Sequence, residues 1–201
     1  IRDPRANLKS GIVNWIKYDE KKDNQQHFYL YIKRIREDLN YSRKIKNEKF
    51  YVKLEEAGDI KTKKNISNFL KIEFNEEINR ATFAGKTWQG DKLSQFNSSG
   101  GEYFEGVANN QWQDFFSKKD KIILNFIYKD YRYFGYKIKK INFIEFVFIF
   151  FLIPLPFIFD KQIFSMSYYF KKNKNIKTKI KEIIFYIKRI LYFYKLYFKL
   201  G

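Results

Sequence analysis

Cysteine is absent from the 201 residues, so the sequence has no disulfide framework, no thiolate zinc site and no cysteine nucleophile. Histidine occurs once, at His27, which leaves imidazole acid–base chemistry and histidine-based metal clusters without partners to build on. Glycine and proline are scarce, at nine and three. A phosphate-binding loop around Gly85-Lys86-Thr87 would need a glycine five positions before Gly85, where Arg80 stands, so the backbone cradle is missing. Ser98-Ser99-Gly100-Gly101 has the composition of a linker and no nucleophile-elbow pattern. Acidic residues number 22 against 40 basic ones. The pairs Glu55-Glu56 and Glu76-Glu77 lie among lysines and read as compensated, solvated faces. No catalytic residue, cofactor site or metal site is assigned. The chain begins at Ile1 with its one methionine at Met166, which fits processing, an alternative start or a cut from something longer, and residues 1–8 lack the apolar core of a secretory signal.

What the sequence does contain is aromatic and basic. Hydrophobic residues make up 45% and aromatics 21%, which is too much apolar surface for a disordered chain even at a net charge of +18. Lys, Asn, Ile, Phe and Tyr, the residues of AT-only codons, dominate. In this composition the chain resembles lineage-specific proteins encoded in AT-rich protist (ciliate-type) mitochondrial genomes. That resemblance implies a part of a respiratory complex, of the ATP synthase or of the mitochondrial ribosome.

Charge divides the sequence. Residues 1–80 carry 19 basic and 13 acidic side chains, residues 141–170 one basic and two acidic, and residues 171–201 ten basic and one acidic. The expected organisation is a peripheral soluble domain over 1–135, a membrane-anchor segment over 136–165 and a basic amphipathic tail over 166–201. Within the first part, residues 24–39 place Phe28, Tyr31, Ile32, Ile35 and Leu39 on one helical face. Alternation predicts strands at 49–55 (Phe50, Val52, Leu54) and 69–74 (Leu70, Ile72, Phe74), with further strands at 81–88 and 122–128. The interval 81–117 concentrates five glycines and two tryptophans. It is expected to bury Trp88 and Trp112 and to turn at Gly90, Gly100 and Gly101. The fold class that follows is α+β: a small strand-rich N-terminal domain, then one transmembrane or re-entrant helix and a basic amphipathic C-terminal helix.

The run 141–159 is the strongest signal. Its uncharged core, 146–159, holds 14 residues and six phenylalanines with no polar face. With residues 141–145 it reaches 19 residues bearing one charge, Glu145, flanked by Lys137, Lys139, Lys140 and Lys161. It is expected at membrane depth, entering as a helix and breaking at Pro154 and Pro156. From Lys177 onward, Ile180, Ile183, Ile184, Ile187, Ile190, Leu191, Tyr194 and Phe198 recur at helical spacing, interrupted by lysines. Lys171, Lys172, Lys174, Lys181, Lys188, Arg189 and Lys195 are the expected contacts to lipid headgroups or phosphates. The function these features imply is that of a non-catalytic accessory subunit in an organellar membrane complex at the mitochondrial inner membrane. Its partners would be other subunits and an anionic lipid such as cardiolipin. The rival expectation is a mitochondrial ribosomal protein whose lysines neutralise rRNA phosphates.

Overall fold

Pro4 opens the first helix, in a turn whose N–H groups have no helical partner in any case, and α1 runs Pro4–Tyr18. The computed structural model describes residues 1–18, 24–75, 82–83, 86–87, 112–165 and 175–200. It divides into one unit of Ile1–Asp3 with Lys46–Gln111 and another of Pro4–Ile45 with Trp112–Gly201. The second unit holds every buried apolar side chain among the described residues.

In that second unit α1 buries Ala6, Leu8 and Ile12 against α2 (Asn24–Lys44). The approach is close at Gly11, where a Cβ would come within 2.3 Å of the Tyr31 ring, and the Tyr31 hydroxyl donates to Asn7 Oδ1 at 2.7 Å. The predicted face of α2 is present: Phe28, Ile32, Ile35 and Leu39 are buried. Between them sits buried Arg36. It donates to the Ile127 carbonyl and, at 2.9 Å, to Asp130 Oδ2, so a cation meets the negative end of the next long helix.

In chain order α3 (Ile60–Leu70) belongs to the other unit; here the short helix α4 (Trp112–Phe115) leads to α5 (Lys118–Ile127). Residues 122–128, expected as a strand, lie in α5 and its C-cap. The strand-like apolar run Ile122-Ile123-Leu124 is overridden by a capping box: Ser117 Oγ accepts from the Asp120 N–H at 3.2 Å and Asp120 accepts from the Ser117 N–H at 3.3 Å. The helix then buries Ile123, Leu124, Phe126 and Ile127 at helical spacing. Arg5 from α1 locks on here, its guanidinium 4.1 Å from the Trp112 ring and 3.0 Å from Asn125 Oδ1. Trp112, expected to be buried, is half-buried. A 3₁₀ segment, Lys129–Phe134, ends at Gly135, whose φ of 76° is a left-handed conformation that suits glycine.

The apolar run becomes α6 (Phe143–Leu152), started by a second capping box between Asn142 and Glu145. Ten residues rise about 15 Å, half the thickness of a bilayer core. Pro154 and Pro156 then prevent continuation, and the chain folds back through a 3₁₀ segment, Ile158–Phe164. Among the described residues no helix is long and apolar enough to cross a membrane, which corrects the expected transmembrane or re-entrant helix. One side of the segment is covered by protein: Ile149, Ile153, Phe157 and Phe159 enter the core of this unit, while Phe143, Ile144, Val147, Phe148 and Phe151 are exposed. The last helix, α7, runs Ile176–Leu200 and packs along α2.

The first unit has a 3₁₀ turn at Leu54–Glu56 and α3 (Ile60–Leu70). The strands expected at 49–55 and 69–74 do not form. Phe50 instead stacks on Phe69 at 5.5 Å. Leu70, Ile72 and Phe74 alternate across a helix end. There Lys71 takes a φ of 55°, its N–H bonds the Asn68 carbonyl, and the Ile72 N–H bonds the Ser67 carbonyl at 3.0 Å, a Schellman closure. The strand pairing seen among the described residues is an antiparallel pair of two-residue strands, β1 (Thr82–Phe83) and β2 (Lys86–Thr87), inside the expected strand 81–88. The α+β, strand-rich expectation is thus replaced by a helical fold. Trp88, Gly90, Gly100 and Gly101 lie outside the described residues.

Candidate functional site

Helix α7 carries three longitudinal stripes. The inward stripe, Glu182, Tyr186, Arg189, Phe193 and Leu196, is buried at the spacing of one helical face. Its centre is a buried ion pair. Arg189, 1% exposed, donates to Asp160 Oδ1 at 2.8 Å, to Asp160 Oδ2 and to Gln25 Oε1 at 3.0 Å. The guanidinium lies 5.4, 5.3 and 5.1 Å from the ring centres of Phe157, Phe159 and Tyr186. Asp160 also accepts the Phe157 N–H at 2.7 Å. Partial burial and the Asp160 charge raise the Tyr186 hydroxyl above the ordinary tyrosine range, against a smaller opposing pull from Arg189. That hydroxyl donates to the Pro154 carbonyl at 2.7 Å.

The second stripe is apolar and outward. Ile176, Ile180, Ile183, Ile184, Ile187, Leu191 and Phe198 are all exposed, Leu191 at 61% and Phe198 at 71%. The third is basic: Lys177, Lys181, Lys188, Lys195 and Lys199 are exposed along the adjoining edge. One full-length helix therefore sorts core, apolar and cationic side chains into separate arcs.

Helix α6 widens the apolar arc. Its inward side carries Ile149. Its flank lies on α7, with Phe146 stacked on Tyr197 at 4.3 Å, Phe150 5.1 Å from Tyr194, and the Tyr194 hydroxyl donating to the Phe150 carbonyl at 3.1 Å. Its outward side exposes Phe143, Ile144, Val147, Phe148 and Phe151, with Phe143 at 80%, Phe148 at 60% and Phe151 at 64%. Ring contacts join the two outward faces, since Phe150 lies 5.4 Å from Phe151 and 6.4 Å from Phe198. The result is one continuous apolar surface over two helices, bordered by lysines. At the start of α6, Lys139 donates to Glu145, and this contact, followed by the Asn142 N–H, lowers the Glu145 carboxyl below its ordinary range.

Of the cations expected to meet headgroups or phosphates, Lys181, Lys188 and Lys195 stand on the basic edge. Arg189 instead turns its charge inward to Asp160. Lys171, Lys172 and Lys174 lie outside the described residues. The isoleucines that recur at helical spacing in the sequence form the outward stripe, not the whole amphipathic face. The buried stripe was hidden because two of its five members, Glu182 and Arg189, are charged. A signal was available in Tyr186, Arg189, Phe193 and Leu196, which repeat every three to four residues. Among the described residues no group of three or more His, Asp or Glu side chains is placed to hold a metal ion. Comparison with protein families, with curated proteins and with solved structures finds nothing that matches this chain.

Proposed function

We propose that this chain is a non-catalytic, architectural component of a membrane-bound assembly that lies on an anionic bilayer surface through the outward face of α6 and α7. The observation that carries this reading is the continuous apolar surface from Phe143 to Phe151 on α6 and from Ile176 to Phe198 on α7, edged by Lys177, Lys181, Lys188, Lys195 and Lys199. A helix lying in the plane of the interface needs those two arcs side by side: apolar residues to sink below the headgroups and cations to meet them. Fully burying a large apolar side chain contributes about 1.5–3 kcal/mol, so stable adsorption needs several of these residues together with the attraction of the lysines to anionic lipid. RNA offers phosphates to the lysines but no apolar surface of this extent. The resemblance in composition to proteins of AT-rich mitochondrial genomes points this reading to an organellar membrane, with the mitochondrial inner membrane as the first choice.

The test is co-sedimentation of the full chain with vesicles. Binding is expected to phosphatidylcholine vesicles containing phosphatidylglycerol or cardiolipin, to weaken with salt, and to fall on the order of tenfold or more in Phe148→Asp with Leu191→Asp. Helical content should be unchanged, because both positions are already exposed. Failure to bind anionic vesicles, with tight binding to structured RNA, would refute the surface reading and favour the ribosomal one.

A further inference from the structure

Beside the amino end of α6 lies a cavity of about 630 Å³ whose lining combines Lys129, Arg132 and Lys140 with Phe126, Phe143 and Phe146. Among the described residues no carboxylate lines it. We infer that it is a binding site for the phosphate-bearing headgroup of one anionic phospholipid, with the aromatic wall taking the first part of an acyl chain. This inference rests on the membrane-surface reading above and extends it from a surface to a specific pocket.

Three features converge. The cations come from two separate segments, the 3₁₀ turn Lys129–Phe134 and the loop that leads into α6, and the fold gathers them around one space. Among the described residues, neither Arg132 nor Lys140 has an acidic partner; the Arg132 Nε–H donates to the Lys129 carbonyl at 3.0 Å, which holds the guanidinium in place. A guanidinium and ammonium groups around one cavity suit a phosphate, which accepts several charge-assisted hydrogen bonds at once. The same lining holds aromatic rings ordered by packing: Phe126 lies 6.1 Å from Phe146 and 5.9 Å from Tyr197, and Phe146 stacks on Tyr197. A free phosphate would have no use for that wall. Phe143 belongs both to the cavity lining and to the exposed apolar face, so a lipid with its headgroup among the cations can leave its acyl chains in the layer where α6 rests.

The experiment uses the full chain and a short-chain phosphatidic acid kept monomeric, titrated by calorimetry beside short-chain phosphatidylcholine and inorganic phosphate. Saturable binding of a single phosphatidic acid is expected, weaker by about tenfold or more in Arg132→Gln with Lys140→Gln and weaker also in Phe143→Ser. Inorganic phosphate should compete poorly. Binding of inorganic phosphate as tight as that of the lipid, unchanged binding by the Arg132→Gln, Lys140→Gln protein, or no saturable binding overturns the inference. The two readings fail separately. Vesicle binding without saturable short-chain binding removes the pocket and leaves the surface, whereas short-chain binding without vesicle binding removes the surface and leaves the pocket.

Discussion

Replacing Arg189 by methionine tests what holds α7 with its isoleucines outward. Methionine keeps much of the volume and the apolar stem, so packing against Phe157, Phe159 and Tyr186 is largely preserved, and the change is chiefly electrostatic. It removes both guanidinium bonds to Asp160 and the bond to Gln25, leaving a fully buried carboxylate with the Phe157 N–H as its remaining donor among the described residues. Breaking a buried pair from one side costs about 3–5 kcal/mol, most of it the penalty for the stranded charge. For a helical unit of this size that corresponds to a fall in Tm on the order of 10–20 °C. Removing the charge as well, in Arg189→Met with Asp160→Asn, keeps an acceptor for the Phe157 N–H and should recover roughly half of the loss. Thermal and guanidinium unfolding followed by far-ultraviolet circular dichroism reads the helices directly. A single-variant cost below about 1 kcal/mol, or a double variant less stable than the single one, would contradict a dry ion pair as the clamp.

Three smaller perturbations probe other parts of the fold. Among the described residues the buried Tyr128 hydroxyl has no hydrogen-bond partner, so Tyr128→Phe should be neutral or stabilise by about 1 kcal/mol in denaturant titrations. Burial, with smaller contributions from Tyr131, Tyr192 and Tyr31, holds that hydroxyl well above its ordinary value. The unfolded tyrosine ionises near pH 10, so the contribution of Tyr128 to stability should be level below about pH 9 and fall as pH rises beyond 10, a loss that is smaller in Tyr128→Phe. Gly11→Ala should destabilise by about 1–3 kcal/mol despite the better helix propensity of alanine, because the new methyl meets the Tyr31 ring; a gain in Tm would show that α1 and α2 have room between them. Lys71→Gly relieves a left-handed lysine at the end of α3 and should protect the α3 amides from hydrogen exchange by about 1 kcal/mol.

Helix α2 was legible in the sequence because its buried face is apolar but for one residue. Phe28, Ile32, Ile35 and Leu39 predict α2 because nothing polar interrupts them except Arg36, whose partners Ile127 and Asp130 lie about ninety residues away and cannot be read from local pattern. The strand-like stretches failed for a different reason. β-branched and aromatic residues are imposed along the whole chain by its composition, so their enrichment carries little information about strands. The capping boxes Ser117-x-x-Asp120 and Asn142-x-x-Glu145 were the better local signal, since each satisfies helix-end donors whatever the composition. The apolar run 141–159 announced dehydration but not its source. Half of it is covered by this chain's own core, and only Ile149, Ile153, Phe157 and Phe159 show which half. Lys129, Arg132 and Lys140 were legible as charges but not as a group, because a 3₁₀ turn and a loop bring them together.

The account turns on whether the outward face of α6 and α7 meets lipid. Because the chain has no cysteine, single cysteines at Phe148, Leu191 and Asp38 can each carry a nitroxide label without background labelling, and power-saturation electron paramagnetic resonance then reports depth. With phosphatidylcholine vesicles containing an anionic lipid, labels at 148 and 191 should become shielded from a water-soluble nickel chelate and open to oxygen, while the label at Asp38, on an exposed part of α2, stays in water. Labels at 148 and 191 that remain as accessible to nickel with vesicles as without them would contradict the account.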